Sequence, residues 1–131
     1  MVVPNSPEYG PLAGKILSGA EEQGLLYCFD STGSVTTLNV GVAIEDIDLI
    51  RPGEEFFLAL ISEQVGIVGA SATEFVPYVN KILLTQETHS GSGLFVLGWN
   101  GSEFTTEQLV DLSGANCWGM GACNFCSCWN R

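Results

Sequence analysis

The chain has 131 residues, 46% of them apolar and 15% charged, enough to bury the core of one domain and well outside the composition of disordered chains. Fifteen Asp and Glu against four Lys and Arg leave a net charge of −11, which repels a nucleic-acid duplex or an anionic membrane surface and excludes both as expected partners. No run approaches the roughly 20 apolar residues of a membrane-spanning helix, and residues 1–8 carry neither the basic nor the apolar segment of a signal peptide, so neither feature is expected.

In chain order, the first clear element is a hairpin. The apolar run 25–29 is followed by Asp30-Ser31-Thr32-Gly33-Ser34 and then by the β-branched run 35–40. Runs 47–50, 56–61 and 66–69 supply three further strand candidates. Residues 72–79 carry the one helical pattern, a turn or two long, with Ser71 or Thr73 placed to cap it. A second hairpin joins 93–99 to 104–110 through Asn100-Gly101, the strongest short hairpin signal a sequence offers. The fold expected is all-β, with one short helix.

The chain also repeats itself. Residues 9–17 align with 75–83 at an offset of 66, matching Pro11 with Pro77, Lys15 with Lys81, Ile16 with Ile82 and Leu17 with Leu83. Gly24-Leu25-Leu26 then answers Gly93-Leu94-Phe95, and Thr32-Gly33-Ser34 answers Asn100-Gly101-Ser102. A unit of three or four strands is the content of one propeller blade.

Pro11, Gly14, Ile16, Leu17, Gly24, Leu26, Tyr27, Gly33 and Leu38 follow the form P-x-x-G-x-I-L … G-x-L-Y … G … F. On these residues, the segment 9–112 resembles part of the bacterial extracellular β-propeller-like proteins, with Leu38 standing where an aromatic is usual. The resemblance implies two propeller-blade-like antiparallel sheets in a fragment over 1–112, followed by a Cys-rich tail over 113–131. Two blades do not close a ring. Strand edges and inter-blade faces left uncovered are aggregation-prone, and self-association into a homodimer or larger assembly is the expected remedy.

Four of the five cysteines, Cys117, Cys123, Cys126 and Cys128, crowd the last fifteen residues, which hold none of the fifteen acids. A one-base shift of the back-translated 116–131 segment stays open and permits an apolar strand resembling the family's continuation. A frameshift origin of the tail is therefore expected, and codons incompatible with that shifted peptide would refute it. Cys123-x2-Cys126-Ser127-Cys128 brings three thiolates within six residues, a spacing that lets several sulfurs reach one zinc ion. Cys117 or His89 would supply a fourth ligand. Cys126-Ser127-Cys128 after Cys123 also resembles the metal claw of nitrile hydratases, but nothing else in the chain does. Asp46 and Asp48 share one strand face and read as solvated, and Cys28, between Tyr27 and Phe29, reads as a small core residue.

The function expected on these grounds is a zinc-dependent hydrolase of activated phosphoesters or esters. Its metal would be held by Cys123, Cys126 and Cys128 with Cys117 or His89, and its substrate would be a small molecule. The alternative is a structural metal site stabilising an otherwise inert propeller fragment or its oligomer.

Overall fold

The computed structural model describes residues 1–60, 66–88 and 91–111. Nine strands are described: β1 (Ile16–Ala20), β2 (Leu25–Phe29), β3 (Val35–Asn39), β4 (Ile44–Leu49), β5 (Phe56–Leu60), β6 (Gly66–Ala70), β7 (Ile82–Thr88), β8 (Gly91–Trp99) and β9 (Phe104–Asp111). The fold is all-β, as the short apolar runs punctuated by turn residues predict. The strands form three antiparallel sheets: sheet A in the order β1-β2-β3, sheet B in the order β4-β7-β8-β9, and sheet C from β5 and β6.

The short helix expected over 72–79 is a 3-10 turn at Val76–Tyr78. Pro77 lacks the N–H an α-helix would need, and Asn80 turns the chain out at φ 65°. A second 3-10 segment, Pro7–Leu12, kinks at Gly10 and precedes β1.

The segments aligned at an offset of 66 take the same local course. Lys15 donates its N–H to the Leu12 carbonyl at 3.1 Å, and Lys81 donates to the Tyr78 carbonyl at 3.0 Å. Immediately before each lysine stands a left-handed residue, Gly14 at φ 72° and Asn80 at φ 65°. Asn is one of the few side-chain-bearing residues that tolerate that region, which explains how Asn80 answers a glycine. Each segment then enters a three-stranded meander, β1-β2-β3 or β7-β8-β9.

The hairpin turns are built alike. Asp30 Oδ1 accepts the N–H groups of Thr32 at 2.9 Å and Ser34 at 3.0 Å. Asn100 Oδ1 accepts those of Ser102 at 2.9 Å and Glu103 at 3.0 Å. An acceptor two or three bonds from the backbone reproduces the carbonyl of a turn, which is why Asp and Asn stand there.

Two apolar clusters hold the sheets together. Leu17, Leu26 and Cys28 of sheet A meet Ile44, Leu49, Ile82, Leu84 and Leu97 of sheet B, joined by Val3, Tyr9 and Leu12. The opposite face of sheet B presents Leu83 and Val96, which cluster with Ile50 and Phe75 and with Phe56 and Ala70 of sheet C. The Phe56 and Phe75 rings lie 4.6 Å apart at 51°. Sheet B is therefore covered on both faces. Among the described residues no polar or charged side chain is buried, so burial here is almost wholly apolar and its stabilisation scales with area.

Candidate functional site

Cys117, Cys123, Cys126, Cys128 and His89 all lie outside the described residues, as does the tail 113–131. What the structure describes is where their flanking residues sit. Thr88 pairs with Gly91 at the β7-β8 connection, and Gly93 pairs with Asp111, the last described residue of β9. The residues flanking position 89 and the residue preceding position 112 thus share one end of sheet B. With strands about 4.8 Å apart and about 3.3 Å per residue along each, Gly91 and Asp111 are separated by only about 8 Å. The start of β4 reaches the same end, since Ile44 pairs with Gln86.

Among the described residues, no group of three or more His, Cys, Asp or Glu side chains is placed to hold a metal ion. Asp46 and Asp48 are exposed, as expected of a solvated strand face. Each carboxylate accepts the N–H of its own successor, Ile47 at 2.8 Å and Leu49 at 2.7 Å. Glu45 sits in the irregularity between Ile44 and Asp46, where the register with β7 shifts.

Cys28 is a core residue. Its side chain is 2% exposed, its thiol donates to the Leu26 carbonyl at 3.6 Å, and burial pushes its pKa up against the weaker pull of Lys15 and Thr36. A thiol held protonated in an apolar cluster is a poor nucleophile.

One feature was not anticipated from the sequence. Beside the β8-β9 turn, a cleft of about 490 Å³ opens between sheets A and B, lined by Lys15, Thr36, Leu38, Trp99, Glu103 and Phe104 among others. The Trp99 and Phe104 rings lie 4.7 Å apart, and Lys15 Nζ donates to Thr36 Oγ1 at 3.4 Å. Gly10 backs this wall: a Cβ on it would stand 2.5 Å from the Trp99 ring, and its φ of 51° disfavours any side chain. Two aromatics flanking Asn100-Gly101 were visible in the sequence, but their meeting with sheet A depends on long-range packing. The cleft offers flat apolar contact and a few polar groups.

Among the described residues, no helix is long and apolar enough to cross a membrane. Comparison of the chain with protein-family models, curated proteins and solved structures finds no match.

Proposed function

We propose that the chain is a fragment of a β-propeller-like protein whose Cys-rich tail binds zinc and, through it, hydrolyses activated phosphoesters or esters. The propeller part of this reading is supported by two similar turn-and-meander units and by sheets packed face to face. The zinc part is supported by the donor set: thiolates at Cys123, Cys126 and Cys128 suit a borderline-soft ion, with Cys117 or His89 as the fourth ligand.

One observation carries the reading furthest. The flanks of His89 and the root of the tail lie at the same end of sheet B. Cys117 lies six positions beyond Asp111, a reach of about 20 Å when extended, which exceeds the roughly 8 Å from Asp111 to Gly91. A ligand set drawing on both segments therefore needs no rearrangement of the sheets. Bound by such ligands, zinc supplies Lewis acidity and an activated water. The chain's own part is to leave one ligand position open and to set a base nearby, and Glu45, Glu87 and Asp111 belong to the strand ends at that edge of sheet B. Activated leaving groups suit a site with little supporting structure, since they ask least of the catalyst.

The second reading is a structural zinc site. It is favoured by the number of thiolates, which donate charge and blunt the acidity of bound water.

Zinc content by mass spectrometry, with hydrolysis of a p-nitrophenyl phosphoester and a p-nitrophenyl ester before and after chelation, tests both readings. The hydrolase reading expects one zinc per chain and activity that chelation abolishes and zinc restores. Cys126→Ala and Cys128→Ala variants should lose zinc and activity together. One tightly bound zinc without turnover supports the structural site, and variants that keep full zinc and activity overturn both readings.

A further inference from the structure

Sheet A presents an outer face that the rest of the described chain leaves uncovered. Residues directly opposite one another across the sheet share a face, and the pairings Val2 with Ile16, Ile16 with Phe29 and Phe29 with Val35 line up four apolar side chains in one row. Val2 is 65% exposed, Ile16 51% and Val35 50%. The next rows on the same face are Ser18, Tyr27 and Thr37, then Ala20, Leu25 and Asn39. In a chain carrying fifteen acids, none of these ten positions is charged.

The internal repeat says what this face is built to meet. Ile16 corresponds to Ile82 at the offset of 66, and Ile82 lies in the row Leu49, Ile82 and Leu97 of sheet B. All three of those residues are 2% exposed because sheet A covers them. The outer row of sheet A is thus the counterpart of the row that sheet A itself buries on sheet B. Its natural cover is another β-sheet with an apolar, uncharged face.

We infer that this face, the row Val2, Ile16, Phe29 and Val35 with Tyr27 beside it, docks against the same face of a second copy of this chain across a two-fold axis. Two features favour a second copy. A partner chosen by charge complementarity to a chain of net charge −11 would bring basic groups, and this face has no acid to receive them. An uncharged patch is instead where two copies meet without juxtaposing carboxylates, and a two-fold pairing uses one patch twice. The inference is independent of the zinc reading, and it gives the self-association expected from the sequence a defined surface.

The size of the face sets the strength. Three strands about 4.8 Å apart and five residues at about 3.3 Å each, with Val2 bridged beside Ile16, project to roughly 250 Å². That falls well below the roughly 800 Å² per partner of a standard interface, so the dimer should be weak and its population should depend on concentration.

Sedimentation equilibrium of the full chain from about 5 to about 500 µM, in chelator and reductant to remove links through the tail, tests it. A monomer–dimer equilibrium is expected, tightening as salt screens the net charge. Val35→Glu and Ile16→Glu, both at half-exposed positions, should each weaken it at least tenfold. Val76→Glu, equally solvent-facing but on the 3-10 turn at Val76–Tyr78, should leave it unchanged. Circular dichroism checks that each variant keeps its strands, and Val35→Thr, milder, should weaken the dimer by a smaller factor in the same direction. A monomer throughout, a ladder of larger species, a dimer dissociated by chelation or reduction, or one insensitive to Val35→Glu would each overturn the inference.

Discussion

Gly19→Ala offers the sharpest test of how sheets A and B meet. Gly19 lies in β1 on the face turned towards sheet B, opposite Leu26. A Cβ added there would stand 2.5 Å from Ile44 Cγ2, 2.7 Å from Ile44 Cβ and 3.1 Å from the Ile44 carbonyl oxygen. Ile44 is 1% exposed and lies in the first cluster, so neither its branched side chain nor the backbone behind it yields cheaply. One methyl group forced into a filled core costs about 1–3 kcal/mol. The slightly better strand propensity of Ala over Gly offsets only a fraction of that. For a domain of this size, about 2 kcal/mol corresponds to a melting-temperature drop of about 6–8 °C. Urea denaturation followed by tryptophan fluorescence reads the change as a lower midpoint at unchanged slope. Ile44→Ala alone, a large-to-small change, should cost about 2–4 kcal/mol. The double variant should cost less than the sum of the two by about 1 kcal/mol, because the methyl added at position 19 enters space the isoleucine vacated. Additive costs, or a Gly19→Ala variant within about 0.3 kcal/mol of the parent, would refute this packing of β1 on β4.

Gly10→Ala should destabilise by about 2–4 kcal/mol, since it adds a clash with the Trp99 ring to a φ of 51°, and it should shift the tryptophan emission; an unshifted spectrum at full stability would remove Gly10 from the wall of the cleft. Cys28 should resist a thiol reagent until the protein unfolds. Because burial raises its pKa, its contribution to stability is full below the ordinary thiol pKa and declines as pH climbs from there through the folded value. Cys28→Ala should flatten that alkaline decline, with the remaining slope shared by Tyr9, whose pKa burial also raises. Asp30 has its pKa lowered by the hydrogen bonds from Thr32 and Ser34, so the turn it closes should weaken as pH falls from the ordinary carboxylate range through the folded value. Asp30→Asn, which keeps an acceptor, should preserve the melting temperature at neutral pH better than Asp30→Ala.

Local chemistry made the strands legible. The hairpins over 25–40 and 93–110 announce themselves because apolar and β-branched runs bracket turn-forming residues, and β2, β3, β8 and β9 stand where those patterns put them. The 3-10 segment at Pro7–Leu12 is silent in the sequence because it has no helical periodicity: two turns are joined through a left-handed glycine. Strand pairing was harder to read. β4 crosses more than thirty residues to pair with β7, and among the described strands β5 and β6 pair only with each other, choices fixed by which apolar faces meet rather than by any short motif. The division into three sheets is therefore a tertiary fact.

The repeat shows the same limit from another side. Ile16 and Ile82 sit in similar local sequence and similar local structure, yet one is 51% exposed and the other 2%. Nothing in the nine residues around either position encodes that difference. It comes from order in the stack: among the described residues, sheet B has a neighbour on each face, and sheet A has one. Burial costs and gains are summed over neighbours, so similar strands stabilise the fold by different amounts according to what lies above them. The cleft beside Trp99 follows the same rule, because its walls come from opposite ends of the described chain and close only when sheets A and B are packed. The cysteine spacing of the tail is the opposite kind of feature. Three cysteines within six residues are a local signal, legible from the sequence and independent of which sheets the body forms. A fold assembled from repeated strands thus hides its surfaces in its topology, while a cysteine cluster written in one short segment stays visible in the sequence.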